Sequence, residues 1–91
     1  MESDLVYLLR QSILMSVAAA YGPVTFERAM RHPELAGAES TVVLGQWREL
    51  VKLGYLEELP GSDGRYVRLS RKGDEATRLH SDPVIWGASA L

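Results

Sequence analysis

Residues 40–73 read STVVLGQWRELVKLGYLEELPGSDGRYVRLSRKG, and this stretch decides the fold. Val43, Trp47 and Leu50 recur at i, i+4 and i+7, so they share one face of a helix that starts near Glu39 or Ser40 and reaches Leu53. On that spacing Trp47 is a core residue rather than a ligand contact. Gly54 suits the position just past a helix end, where a left-handed backbone closes the last turn. Leu56 and Leu59, then Val67 and Leu69, supply the inward positions of two short strands. Residues 60–64 between them are turn formers, and Asp63-Gly64 is a strong local hairpin signal. Ser70 then caps another helix, in which Asp74 and Arg78 stand four apart as an ion pair.

Ahead of this stretch, Ser3 or Asp4 can cap a first helix whose apolar positions Leu5, Leu8, Leu9, Ile13, Val17 and Ala20 follow helical spacing. Val6, Leu14 and Met15 widen the stripe beyond one face. A helix that apolar is either sandwiched inside the domain or meets another chain. Tyr21-Gly22-Pro23 ends it. Val24 fits a brief strand, and Thr25 an N-cap for a second helix through Arg31 that carries Phe26 and Met30. After the fourth helix, Ser81-Asp82-Pro83 breaks the chain and an apolar tail, Val84-Ile85-Trp86, follows. The expected organisation is one domain over residues 1–80 with a C-terminal tail over 81–91: α+β, mostly α, with a long first helix, a two-stranded hairpin and a short last helix.

The order of these signals resembles the winged helix-turn-helix superfamily, and in particular regulators of the multiple-antibiotic-resistance-repressor type. In that family a helix precedes a Gly-Pro-Leu-Thr-like corner; here stands Gly22-Pro23-Val24-Thr25. Its recognition helix opens with Ser-Thr-Val, as Ser40-Thr41-Val42 does, and closes as Leu50-Val51-Lys52-Leu53-Gly54-Tyr55-Leu56 does. Its wing returns into a Leu-Thr-x-x-Gly motif, whose place is taken by Leu69-Ser70-Arg71-Lys72-Gly73. The resemblance spans roughly residues 9–79. It implies DNA binding, a role in transcription regulation, and dimerisation through helices flanking the wing domain. One spacing departs from the pattern. Counting back from Gly54 puts Val42, Leu44 and Gly45 where DNA readers carry Ser, Arg, Asn or Gln, so the helix is poorly equipped to hydrogen bond base edges.

Charge weighs on the same question. The 91 residues carry 10 Lys and Arg against 12 Asp and Glu, a formal net charge of -2, whereas a dedicated nucleic-acid binder is usually basic over at least one face. The third helix turns Thr41, Gly45, Arg48 and Lys52 away from its core face. Like charges four apart cost a few tenths of a kcal/mol, which a bound anion or the neighbouring Glu49 would relieve. Gly45 in mid-helix costs about 1 kcal/mol against Ala, a cost that close approach of another backbone would explain. Arg65, Arg68, Arg71 and Lys72 form the densest positive run. Arg71 and Lys72 fall at a helix start, where the dipole disfavours cations unless phosphates sit between them. The competing reading pairs Arg68 across the strands with Glu57 or Glu58. For self-association the candidates are Leu5, Tyr7, Leu9 and Trp86, unless the tail covers its own first helix.

Chemistry of other kinds is not indicated. His32 and His80 lack metal-ligand spacing with an acidic neighbour, and no nucleophile, base and orienter can be assembled. Residues 61–64 lack the lysine and length of a phosphate loop. The chain is therefore read as a binding module rather than an enzyme, with no cofactor and no metal. With no cysteine, no basic N-terminal region, and an apolar run over 13–20 too short to cross a bilayer, it is expected to be cytoplasmic and off the membrane. Two functions compete: a winged-helix protein that binds double-stranded DNA as a homodimer, and a winged-helix protein-interaction module within a larger assembly.

Overall fold

The computed structural model describes residues 2–78 of the chain. The fold is mostly helical with a small three-stranded antiparallel sheet. Its elements run α1 (Glu2–Ala19), β1 (Val24–Thr25), α2 (Phe26–Ala29), a 3-10 turn at Pro33–Leu35, α3 (Ser40–Lys52), β2 (Leu56–Glu58), β3 (Tyr66–Leu69) and α4 (Arg71–Arg78). β3 is the central strand, in the order β1-β3-β2. Val24 faces Val67 across one ladder, and Leu56 faces Leu69 across the other. The brief strand expected at Val24 thus completes the sheet. The second helix is shorter than the sequence suggests, ending at Ala29 rather than Arg31, with Thr25 Oγ1 accepting from Arg28 N at 3.2 Å as its N-cap.

Ile13, Leu14, Val17, Val24, Leu35, Val43, Trp47, Leu50, Leu56 and Val67 form one buried core. The α3 spacing does as predicted: Val43 and Leu50 are fully buried and Trp47 is 5% exposed, its ring edge-on to Phe26 with centroids 5.4 Å apart. Gly54 stops the helix at φ +89, and Tyr55 N reaches back to Leu50 O at 2.9 Å. Asp63 and Gly64 both take positive φ in the hairpin turn.

The breadth of the apolar stripe on α1 has a local cause. Its second half lies at the centre of the molecule, packed against α2, the 3-10 turn, α3, β3 and α4, so apolar residues are needed all round it. Even Ser16 is buried there, its hydroxyl donating to Ile13 O at 2.7 Å. Arg10 Nε donates to Gln46 Oε1 at 2.8 Å and ties α1 to α3. The N-terminal half differs: Leu5 is 68% exposed and Leu8 59%. Of the residues the sequence offered for self-association, Leu5 is therefore accessible, whereas Tyr7 and Leu9 are half-buried against the chain's own core. Leu8, not singled out by the sequence, is the second exposed leucine. Trp86, His80 and the tail over 81–91 lie outside the described residues.

Ser70 links the hairpin to α4. Its Oγ accepts from Gly73 N at 3.0 Å and donates to Gly54 O, and its backbone N–H reaches Tyr55 O at 3.1 Å. Ser70→Ala removes the N-cap and leaves the Gly54 carbonyl without this donor. A loss of about 1–2 kcal/mol is expected, measured as a lower urea midpoint at unchanged slope.

Candidate nucleic-acid interface

Because α3 buries Val43, Trp47 and Leu50, its opposite side presents Thr41, Gly45, Arg48 and Lys52, all exposed. Arg48 and Lys52 border an open groove of about 680 Å³ between α3 and the β2–β3 turn. Arg65 reaches the same groove from the turn, and Leu44, Trp47 and Val51 line its floor. None of these three cations makes an ion pair with a described residue; Glu49 does not come within ion-pair distance of Lys52. Glu27, Glu58 and Asp63 border the groove as well, so its formal charge sums to zero, three cations against three carboxylates. Beyond Gly45 the space is open: a Cβ there would meet nothing within 4 Å. No part of the described chain approaches it. Thr41 Oγ1 donates to Glu39 Oε1 at 2.7 Å.

The other cations of the predicted run do not join this groove. Arg68 stands opposite Glu57 in the ladder and pairs with it at 3.4 Å, which is the competing reading of its charge. Arg71 and Glu75, one turn apart on α4, come within 3.7 Å, and Asp74 and Arg78 within 2.7 Å as expected. Lys72 has a partner that the sequence did not indicate. The sequence places its charge at the unfavourable start of α4. In the structure its Nζ donates to Leu53 O at 3.0 Å and sits 4.5 Å from the Tyr55 ring centre. That is the C-terminal end of α3, where the dipole favours a cation and a last carbonyl needs a donor. The penalty that made a bound phosphate attractive at Lys72 is thus answered within the chain. Lys72→Ala is expected to lower stability by about 0.5–1 kcal/mol, read by thermal or urea melting.

Two residues that the sequence reading passed over have the character it sought. Arg28 and Arg31, either side of the end of α2, are exposed, and neither guanidinium pairs with another described residue. They line a second, smaller groove of about 280 Å³ together with Pro23, Thr25, Glu27 and Tyr66. Their i, i+3 spacing was visible in the sequence, but the shortness of α2 hid that both would stand on the surface.

His32 Nδ1 accepts from Glu34 N at 3.1 Å and so caps the 3-10 turn. Among the described residues no three His, Cys, Asp or Glu are grouped so as to hold a metal ion, and no helix is long and apolar enough to cross a membrane. Comparison of the chain with protein-family models, curated proteins and solved structures finds no match.

Proposed function

We propose that this chain is a winged-helix module that binds double-stranded DNA through α3 and the β2–β3 turn, holding phosphates rather than reading bases, and serves transcription or a related DNA transaction. The observation that carries the reading is the convergence of Arg48, Lys52 and Arg65, none ion-paired to a described residue, on one open groove. Val42 and Gly45 on the outer side of α3 supply no hydrogen-bonding fork, and the Thr41 hydroxyl is already donated to Glu39, so base discrimination has little to stand on. Three neutralised phosphates give a slope of log affinity against log salt of about -3. The three carboxylates in the groove make the binding weak at physiological salt. Fluorescence anisotropy with two unrelated duplexes, titrated over salt, tests this: similar affinities and that slope are expected. Undetectable binding at low salt ends the reading.

Gly45→Ala sharpens the test. A helix-interior alanine with open space around it is expected to raise stability by up to about 1 kcal/mol. If α3 enters a groove of DNA, the same change weakens duplex binding, so stability and affinity move in opposite directions. The module is also proposed to pair with a second copy through Leu5 and Leu8, one helical turn apart on α1. Sedimentation of Leu8→Glu beside the unaltered chain checks it, and two monomeric proteins would refute it.

A second reading has its own support. The groove's balanced charge, with Val42 54% exposed on α3 and Leu53 39% exposed just past its end, suits a protein surface better than a polyanion. It gains if duplex binding is absent and a stable partner co-purifies.

A further inference from the structure

The outer side of the sheet offers a second, differently built surface. Val67 is buried, so its neighbours Tyr66 and Arg68 on β3 point the other way, and Thr25 of β1 stands directly opposite Tyr66. Tyr66 is 44% exposed and borders the small groove with Arg28 and Arg31. On the other flank, Tyr21 is 94% exposed and shares with Arg68 a cleft of about 540 Å³ at the end of α1. Tyr21 holds a left-handed backbone, φ 54, which disfavours a bulky side chain. An aromatic residue kept strained and in water is a feature that packing does not explain.

We infer that this face binds a single-stranded nucleic acid, with bases stacked on Tyr66 and Tyr21 and phosphates held by Arg28 and Arg31. The occupant follows from complementarity. Guanidinium groups that pair with no described residue attract a backbone of phosphates, the exposed Tyr66 ring beside them stacks any base regardless of sequence, and Tyr21 on the other flank offers a second ring. A duplex would satisfy the arginines but leave the rings idle, because its bases are already stacked on one another. Arg68 is committed to Glu57 and contributes at most a rim contact. The inference stands apart from the α3 groove: it needs neither Arg48 nor Arg65.

The test uses the full chain and a short labelled oligothymidylate, with polyphosphate of equal charge as a base-free competitor and a duplex as the third probe. Tyr66→Thr keeps a strand-favouring residue, and Tyr21→Gly relaxes the backbone, so neither variant endangers folding. Each is expected to weaken oligothymidylate binding by about fivefold or more, the least that loss of one stacked base produces, while leaving polyphosphate competition unchanged. Arg28→Ala with Arg31→Ala should weaken both probes. Arg48→Ala with Arg65→Ala should lower duplex binding only. The inference is overturned if polyphosphate displaces the strand as well as a strand of equal charge does, if both tyrosine variants bind the strand unchanged, or if the α3 variants abolish strand binding. Loss of the duplex arm alone would count against the α3 reading and leave this one intact.

Discussion

Gly73→Ala is expected to destabilise the protein by about 3 kcal/mol, against a total that for 91 residues is of order 5–14 kcal/mol. Gly73 lies in α4, where alanine should improve helix propensity by about 1 kcal/mol, so propensity and packing predict opposite signs. Packing decides. A Cβ at position 73 would stand 2.0 Å from Tyr55 O, 3.0 Å from its carbonyl carbon and 3.3 Å from Leu69 Cδ2. The carbonyl has little freedom to withdraw, since it accepts from Ser70 N at 3.1 Å while the same residue's N–H is bonded to Leu50 O at 2.9 Å. The helix would have to lift off the chain between α3 and β2. Lys72 would then lose the end of α3, and buried Ala76 its seat. Urea unfolding followed by circular dichroism measures the change. A midpoint equal to or above that of the unaltered chain would show that α4 does not rest on the Tyr55 backbone.

Trp47→Ala is expected to cost about 3–5 kcal/mol, enough to leave a substantial unfolded fraction. The ring is 5% exposed, joins α3 to the core, and meets Phe26 at 86°. Removing it opens a cavity between α2 and α3 and also forfeits the edge-to-face contact, itself about 0.5–1.5 kcal/mol. Trp47 further lines the groove beside Arg48, so the fraction that folds should bind duplex less well. Trp47→Phe keeps part of the volume and should recover much of the loss. Equilibrium unfolding of both variants checks the order, and a loss below about 1 kcal/mol for the alanine would mean that the core closes without the indole.

These two residues differ in how far the sequence discloses them. Trp47 falls on a helical face with Val43 and Leu50, and that spacing alone assigns it to the interior. Gly73 stands in the sequence only as the last residue of the Leu69-Ser70-Arg71-Lys72-Gly73 motif, with no local physical reason for a glycine there. It looks like one more residue of a helix start, and its need for hydrogen in place of a methyl comes from Tyr55, far earlier in the chain. The same contrast runs through the charges. Asp74 and Arg78 pair at the distance helical geometry dictates. Lys72 looks destined for an external anion until Leu53 O is found beside it, 19 residues away. Arg68 could be read either as free or as paired until the register set it opposite Glu57.

Short-range physics was legible in the chain itself: the helix of residues 40–52 with its buried face, the stop at Gly54, the turn at Asp63-Gly64 and the caps at Thr25 and Ser70. Each depends on backbone preferences and periodicities within a few residues, which the sequence states directly. The tertiary structure alone decided which cations have partners, that Arg48, Lys52 and Arg65 share a groove with three carboxylates, and that Arg28, Arg31 and Tyr66 meet. Those outcomes turn on packing between segments far apart in the chain, where a side chain's partner is chosen by the direction in which two elements happen to meet. Such directions are a property of the whole fold and of no local pattern.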